Sequence, residues 1–315
     1  MLTRREWLSL TMATGAAAAL DRLQLAAQQP LLQRAIPSSG EQIPAVGLGS
    51  SATFSAAARG EVDALREVMK ALVSGGGTVF DTAPAYGASE EVAGRLAAEA
   101  GLTNRIFWAT KVNVVRGRGG SATADPAAAR AQIETSFARI KKDRIDCIQV
   151  HNHADVPTQL GILHELKKQG RVRYVGVTTT FPAQFNDLAA TMKAQTMDFI
   201  GVNYAVDDRD VEATILPLAR ERKIGVLVYL PFGRTRLFAR VKGQQLPDYA
   251  KEFDATTWAQ FFLKFVLSHP AVTAVTPATS QAKNMADNLG AMRGRLPNEE
   301  LRKRMIATID ALPNA

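Results

Sequence analysis

The feature that most constrains the fold is an eightfold alternation of short apolar runs with amphipathic segments, beginning at Ala45. The runs are AVGLG, TVFD, RIFWATK, IDCIQVH, YVGVT, FIGVN, GVLVY and AVTAVT. Short, almost continuously apolar runs that alternate with helical patterns are typical of buried parallel strands. Eight such units predict an α/β chain folded as a (β/α)8 TIM barrel. A doubly wound sheet fits less well, because GLGSSA after the first run is a poor match to a dinucleotide-binding glycine motif.

The segments between the runs show helical periodicity. Apolar residues recur at i, i+3 and i+4 over Val62 to Val73, Ala127 to Ile140 and Val211 to Arg222. Asp125 and Pro126 supply a cap and a proline in the first turn for the second of these segments. We therefore expect a helix after each strand.

Three segments lie outside the eightfold pattern. LLQRAIPSSGEQIPAV predicts a β-hairpin around Ser38 to Gly40 ahead of the barrel, and NEELRKRMIATIDAL predicts an extra C-terminal helix. The seventh strand is followed by the longest connection, from Leu230 to about Asp254. A loop of that length in a compact barrel is usually functional.

The first thirty residues resemble an export signal. Arg4 and Arg5 precede a modest apolar stretch from Trp7 to Leu20, which is too short to remain as a membrane anchor. TRREWL resembles the twin-arginine motif, so we expect the twin-arginine export machinery as a partner and a periplasmic or exported location. The domain prediction is a signal peptide over residues 1–27, cleaved near Ala26 and Ala27, and a barrel over 28–315.

The composition argues against several other classes of protein. Apolar residues make up 46% and charged residues 22% of the chain, as in ordinary soluble domains. The net charge of +8 is scattered rather than grouped in blocks, so we expect no nucleic-acid partner. Cys147 is the single cysteine, which excludes an internal disulfide and a multi-cysteine metal site. We expect a monomer with no stable membrane insertion.

Four chemically capable side chains follow consecutive strands. Asp81 ends the second strand and Tyr86 lies in the loop after it, while Lys111 ends the third strand and His151 ends the fourth. Barrel enzymes carry out their chemistry at the carboxyl ends of the strands. The four residues are therefore predicted to form one catalytic group.

His151 and His153 also suggest a metal pair, and this alternative has to be considered. A metal-dependent hydrolase needs further ligands. His164 lies inside a helical segment and His269 precedes the eighth strand, at the opposite end of the barrel. We therefore expect no metal site.

These segments together resemble the aldo-keto reductase family. FDTAPAYGASEEVAGRL is similar to the family's D-T-A-x-x-Y-G-x-S-E motif, and ATKV, IQVHN and YVGVT are similar to its following strands. LVYLPFG and TPATSQAKNMADNL resemble its later cofactor-binding segments. The resemblance covers about Arg34 to Leu312. It implies a nicotinamide-dependent oxidoreductase in which Tyr86, Asp81, Lys111 and His151 form the catalytic tetrad.

The implied chemistry is the reduction of an aldehyde or ketone. Nicotinamide supplies a hydride, and Tyr86 donates the proton to the oxygen. A free tyrosine has a pKa near 10, so Lys111 is expected to lower that value, with Asp81 keeping the lysine charged and oriented. His151 is expected to donate a hydrogen bond to the carbonyl oxygen.

The resemblance also implies a cofactor site, with NADP(H) as the expected cofactor and NAD(H) as the alternative. Its predicted members are Thr178, Thr179, Tyr229, Pro231, Gly233, Arg234, Arg236, Thr279, Ser280, Gln281, Asn284 and Asn288. The chain departs from the family at several of these places. Thr178 and Thr179 replace a Ser-Asn pair, Gly201 replaces a glutamine, and Ala278 and Asn284 replace a Lys and an Arg that hold a 2′-phosphate.

Two functions remain open at this stage. The first is an exported oxidoreductase that acts on a small carbonyl substrate. The second is a nicotinamide-nucleotide-binding accessory or regulatory protein with little turnover. The intact tetrad favours the first, and the altered cofactor segments favour the second.

Overall fold

Eight parallel strands form the barrel that the sequence predicted, in a computed structural model that describes residues 30–55, 62–115 and 123–313. The proposed signal peptide lies outside the described residues. The strands are β1 Gln33–Ala35, β2 Gln42–Pro44, β3 Leu48–Gly49, β4 Val79–Asp81, β5 Phe107–Val112, β6 Ile145–Val150, β7 Val172–Thr178, β8 Phe199–Asn203, β9 Gly225–Tyr229 and β10 Val272–Val275. The helices are α1 Val62–Ser74, α2 Ser89–Glu99, α3 Pro126–Ile140, α4 Val156–Lys168, α5 Phe185–Ala194, α6 Ile215–Glu221, α7 Arg236–Arg240, α8 Trp258–Leu267, α9 Ala282–Gly290 and α10 Glu299–Asp310.

The barrel closes where its first strand meets its last. Strands β3 to β10 pair in chain order, and parallel bridges from Val46 to Val275 and from Gly49 to Ala278 join the two edges. A Cβ atom at Gly49 would lie 2.6 Å from the carbonyl oxygen of Thr276. Gly49 therefore permits the close approach of the two backbones that completes the barrel.

The predicted hairpin covers the amino-terminal end of the barrel. β1 and β2 pair antiparallel, and Ile36 and Ile43 from the hairpin are buried with the inward-facing side chains of the barrel. Those inward side chains include Val79, Phe107 and Phe199. Each such aliphatic or aromatic side chain contributes about 1.5–3 kcal/mol when fully buried. This end of the barrel is thus closed by packing, and the opposite end is left for a site.

The helices form the outer layer, and their starts follow local capping chemistry. The Asp125 side chain accepts a hydrogen bond from the amide of Ala127 at the start of α3, as predicted. Asn298 caps the predicted C-terminal helix α10 in the same way, through the amide of Leu301. Within the described part of the chain, no helix has the length and apolar character needed to cross a bilayer.

One predicted helix, Val211 to Arg222, is shorter than expected. The structure has a short 3₁₀ turn at Asp210–Glu212, and the α-helix begins only at Ile215. Pro217 explains the difference, because proline lacks an amide proton and is tolerated only in the first turn of a helix. The long connection after β9 also differs from a plain loop, since it contains α7 and a 3₁₀ turn at Asp248–Phe253.

Candidate active site

The four predicted catalytic residues converge at the carboxyl end of the barrel. Asp81 is the last residue of β4, Lys111 lies near the end of β5, and His151 directly follows β6. β4, β5 and β6 are neighbours, with Asp81 opposite Ala109 and Lys111 opposite Gln149. Parallel pairing thus brings residues that are 70 positions apart in the chain to the same rim.

A buried ion pair lies at the centre of this group. The Lys111 ammonium donates to both carboxylate oxygens of Asp81, each at 2.8 Å, and to the carbonyl oxygen of Thr82, also at 2.8 Å. Lys111 is 1% exposed and Asp81 is 4% exposed. The three donors of the ammonium are therefore all directed to acceptors, as a buried charge requires.

The pKa values of the pair follow from burial and mutual attraction. Burial alone would lower the pKa of Lys111, but the charges of Asp81 and Tyr86 raise it above its usual value. Burial raises the pKa of Asp81, while the adjacent Lys111 opposes that shift. Lys111 is therefore positively charged at neutral pH, as its proposed role requires.

Tyr86 lies beside this ammonium and beside His151. The Lys111 Nζ atom is 4.9 Å from the centre of the Tyr86 ring, and the Tyr86 and His151 rings are 5.6 Å apart in an edge-to-face arrangement. Burial raises the pKa of Tyr86, and the charges of Lys111 and Arg234 only partly offset that effect. Lys111 thus lowers the pKa of Tyr86, as expected, but burial has the larger effect and the net shift is upward.

His151 is neutral throughout the physiological range. Burial, together with the nearby charge of Lys111, lowers its pKa to about 3. A neutral imidazole carries one N–H donor and one acceptor nitrogen. His151 can thus donate a hydrogen bond without adding a second positive charge to the site.

A cavity of about 650 Å³ opens above these residues, within the size range of small-molecule sites. Its walls include Tyr86 and His151 on one side and Tyr229 and Pro231 on the other. A second cavity of about 460 Å³ adjoins it. The two cavities share Arg234 as a lining residue, so they meet beside the connection that follows β9.

The two predicted threonines are buried at the end of β7 and are not among the residues that line the first cavity. Thr178 is 2% exposed and Thr179 is fully buried. The Thr179 hydroxyl donates to Gln184 at 2.5 Å and accepts from the amide of Phe181 at 3.1 Å. Thr180 and Phe181 line the cavity instead. The residues of this segment that line the cavity therefore lie one or two positions after Thr179.

The arginines of the seventh connection differ in their placement. Arg234 lines both cavities, with a positive φ of 63° just after Gly233. Arg236 instead donates two hydrogen bonds to the carboxylate of Asp207, at 2.8 and 2.9 Å. Arg236 is thus paired with Asp207 and is not among the residues that line either cavity, so its role as a cofactor contact stays a prediction.

The predicted residues around α9 are divided between the cavities. Thr279 lines both, Ser280 lines the first, and Asn284 and Asn288 line the second. Gln281 lies at the start of α9 and its amide donates to Thr279 Oγ1 at 3.1 Å. Among the described residues that line the second cavity, Arg234 is the only cation, and Asp287 contributes a carboxylate.

Several lining residues were missed from the sequence. Ser50 and Ser51 after β3, Asn152 after His151, and Phe232 after Pro231 all line the first cavity. Each follows a barrel strand by one to three residues, so its place at a strand end was the available signal. Within residues 30–55, 62–115 and 123–313, no group of three or more His, Cys, Asp or Glu side chains could hold a metal ion.

Comparison with known proteins agrees with this architecture. An aldo-keto reductase, str7, from Strobilurus tenacellus is 26% identical over 270 residues, which cover 75% of this chain and 78% of that protein. A probable aldo-keto reductase 1 from Glycine max is 27% identical over 279 residues, covering 75% and 77%. The crystal structure of an aldo-keto reductase from Klebsiella pneumoniae, in complex with NADPH, shares the fold with a TM-score of 0.71 at 24% identity, over 89% of this chain and 95% of that one.

The sequence profile of the Aldo/keto reductase family matches residues 45–311, which is most of the chain and the whole of the barrel. That match, with the converging group of Asp81, Tyr86, Lys111 and His151, settles the class of the protein. The chain belongs to the aldo/keto reductase family and is an oxidoreductase.

Proposed function

We propose that this protein reduces an aldehyde or ketone to an alcohol with NADPH, and that Tyr86 donates the proton. The observation that carries the proposal is the buried Lys111–Asp81 ion pair, whose ammonium lies 4.9 Å from the Tyr86 ring. An accessory protein that only binds nucleotide would have no need for this buried charge, and a buried ion pair is seldom favourable for stability alone.

The two adjoining cavities fit an elongated dinucleotide. Asp81, Tyr86 and His151 line the first cavity, so the nicotinamide end would bind there. Asn284 and Asn288 would hold the other end in the second. Arg234 lines both cavities and would hold the phosphates between them, with Ser280 beside the start of α9. The NADPH complex of the Klebsiella pneumoniae protein, which has the same fold, supports this choice of cofactor.

When bound, reduced nicotinamide supplies the hydride. The residues of the chain then have three roles. Tyr86 gives its proton to the carbonyl oxygen, His151 donates a hydrogen bond to that oxygen as negative charge develops, and Lys111 stabilises the phenolate that remains. In the direction of alcohol oxidation, the Tyr86 phenolate would take the proton back.

Turnover of a panel of aldehydes and ketones by wild type and Tyr86→Phe tests the proposal. General acid catalysis contributes about 10²–10⁴-fold, so the variant should lose at least that factor in rate. Tyr249→Phe is a matched control, because the Tyr249 hydroxyl bonds Thr308 and not a catalytic residue. No turnover by wild type, with normal cofactor binding, would favour the accessory protein. A Tyr86→Phe rate above roughly a tenth of wild type would contradict the proton-donor role.

We also propose that the preference for NADP(H) over NAD(H) is well below a thousandfold. Charge-assisted hydrogen bonds contribute roughly 1.5–3 kcal/mol each. The second cavity offers Asn284 where the family places an arginine, and Asp287 presents a carboxylate nearby. Asn284→Arg should therefore sharpen the preference by about tenfold or more. Titrating both reduced cofactors measures this, with Asn284→Gln as a control for size. A wild-type preference above roughly a thousandfold that Asn284→Arg leaves unchanged would contradict this placement of the 2′-phosphate.

Export through the twin-arginine machinery is the remaining proposal. Its support is the sequence alone, since Arg4 and Arg5 lie outside the described residues. That route suits an enzyme that takes up its nucleotide while folding. Replacing Arg4 and Arg5 by Lys should retain the precursor in the cytoplasm, whereas Arg22→Lys should not. Unchanged export of the double variant would point to another route.

A further inference from the structure

The Tyr229 side chain occupies space that Gly201 leaves empty. A Cβ atom at Gly201 would lie 2.4 Å from Tyr229 Cε2 and 2.6 Å from its hydroxyl oxygen. These distances are far below van der Waals contact, so no other residue at position 201 is compatible with this position of the ring. The loss of a side chain on β8 is therefore matched by the inward placement of a tyrosine from β9.

This inward position brings Tyr229 to the ion pair. Its ring centre is 5.1 Å from Lys111 Nζ, close to the 4.9 Å that separates the same atom from the Tyr86 ring. The ammonium thus lies near two phenol rings. The Tyr229 hydroxyl is also close enough to the Asp81 carboxylate to lower the pKa of Asp81.

A buried glutamine completes the contact. Tyr229 Oη donates to Gln149 Oε1 at 2.8 Å, and Gln149 is fully buried. Gln149 Nε2 is also buried and has no hydrogen-bond partner among the described residues. A buried N–H group without an acceptor is unfavourable, so an orientation of the Gln149 amide that gives Nε2 an acceptor would be preferred.

Rotation of the Gln149 amide by half a turn supplies that alternative. Nε2 then donates to Tyr229 Oη, and the Tyr229 proton is free to point at Asp81. The rotation leaves a carbonyl oxygen unpaired instead of an N–H, which proteins tolerate more readily. In that arrangement a chain of hydrogen bonds would run from Gln149 through Tyr229 to Asp81.

We propose that Gln149 and Tyr229 are positioning residues, which hold the Asp81 carboxylate from inside the barrel and so fix Lys111 next to Tyr86. The effect of this arrangement on kcat and on the pH–rate profile rests on the carbonyl reductase function proposed above. Gln149 is not among the residues that line the cavity, so its effect on turnover has to pass through Tyr229 and Asp81.

The charges around Asp81 predict how the pH dependence of turnover should change in a variant that lacks the Tyr229 hydroxyl. The titratable and charged groups that face Asp81 are Lys111, Tyr86, Tyr229 and Cys147. Burial raises the pKa of Asp81, and its contacts with Lys111 and Tyr229 oppose that rise. Without the Tyr229 hydroxyl, Asp81 should take up a proton at a higher pH. The acid limb of the pH–rate profile should then move to higher pH.

Four variants test the chain of hydrogen bonds by steady-state kinetics from acid to alkaline pH. Tyr229→Phe keeps the ring, and Gln149→Leu keeps the side-chain bulk. Each should lower kcat by about tenfold, as for loss of a hydrogen bond to a charged group, with the KM for cofactor unchanged. The double variant should be no slower than either single variant. Cys147→Ala, on the same strand and also inside the barrel, is the control. Burial raises the pKa of the Cys147 thiol, so this group is uncharged where Asp81 titrates and its removal should leave the acid limb unchanged.

The outcomes separate this proposal from the function on which it rests. Additive losses in kcat, or an acid limb that stays in place in Tyr229→Phe, would overturn it. If wild type reduces no carbonyl at all, the proposed function fails, and urea unfolding still tests the positioning role. In that case Tyr229→Phe and Asp81→Asn should shift the unfolding midpoint non-additively. Additive shifts would overturn the proposed contact.

Discussion

Lys111 and Lys264 are the two lysines that this fold buries completely, one at the mouth of the barrel and one in the outer layer on α8. Lys111 meets the Asp81 carboxylate at 2.8 Å. Lys264 instead donates to the backbone carbonyl oxygens of Arg293 and Arg295, at 2.5 and 2.9 Å. Both ammonium groups have acceptors, but only Lys111 has a counter-charge in contact.

Their pKa values move in opposite directions as a result. Burial lowers the pKa of Lys264 to about 8, although Asp254 attracts its charge. Asp254 is itself paired with Arg295, at 2.8 Å, so little of its charge is left for the lysine. For Lys111, burial is again the largest single influence, but the contacts with Asp81 and Tyr86 together outweigh it and raise the pKa. A contacting carboxylate therefore keeps a buried lysine charged, whereas carbonyl dipoles alone do not fully replace water.

The largest expected effect is on catalysis. Lys111→Met should lower kcat by about 10²–10⁴-fold, since Tyr86 loses the charge that stabilises its phenolate. Lys264→Met, which lies in the outer layer, should leave kcat unchanged. Steady-state kinetics on the best carbonyl substrate makes the comparison. A similar loss of kcat in both variants would contradict the distinction between the two lysines.

The free energy of unfolding shows how much of the Lys111→Met effect comes from the unpaired charge of Asp81. Lys111→Met leaves Asp81 as an uncompensated buried charge, which typically costs about 3–5 kcal/mol. The double variant Lys111→Met/Asp81→Leu should recover most of the free energy of unfolding without recovering kcat. Failure of the double variant to recover stability would mean that packing, rather than charge, is the main function of the pair.

A smaller effect concerns Lys264 and alkaline pH. Its pKa is about 8 in the folded protein, against a usual 10.5. The unfolded chain therefore binds more protons between these values, and the free energy of unfolding should rise as pH increases from 8 to 10.5. Each pKa unit corresponds to about 1.4 kcal/mol, so the rise from this group is about 3.5 kcal/mol at most. Urea unfolding of Lys264→Met should lack this component, and an unchanged rise would refute the low pKa.

The smallest expected effect is on the pKa of His151, which the nearby charge of Lys111 lowers. Burial is the larger cause of its pKa of about 3, and Lys111 is the second. Lys111→Met should therefore raise the pKa of His151 but leave it below the usual 6.5. Titration of the imidazole by NMR measures this. A wild-type His151 that titrates near neutral pH would contradict the neutral donor proposed for the reaction.

Much of the fold could be predicted because it depends on local patterns. Buried parallel strands are continuous apolar runs, and eight of them in alternation with helices leave few other architectures. The position of the tetrad at strand ends was predictable for the same reason. The start of α6 was missed because the position of Pro217 in the helix, rather than the apolar periodicity, sets that boundary.

Contacts between distant segments could not be predicted from local patterns. Arg236 was predicted as a cofactor contact, but the fold places Asp207 against it. The position of Tyr229 depends on Gly201 across a strand pair, and its hydroxyl meets Gln149 from a third strand. None of these pairs is close in the chain, so no periodicity signals them.

The sequence by itself determined the barrel, its hairpin and its C-terminal helix, because these follow from apolar periodicity. It also predicted which four residues would meet at the carboxyl end of the barrel, because each lies at a strand end or in the loop that follows one. Only the tertiary structure decided the electrostatics. The net shift in the pKa of Tyr86 is upward, and the pKa of Lys111 is raised while that of Lys264 is lowered. These differences arise because desolvation and the distance to a counter-charge depend on which strands and helices come together.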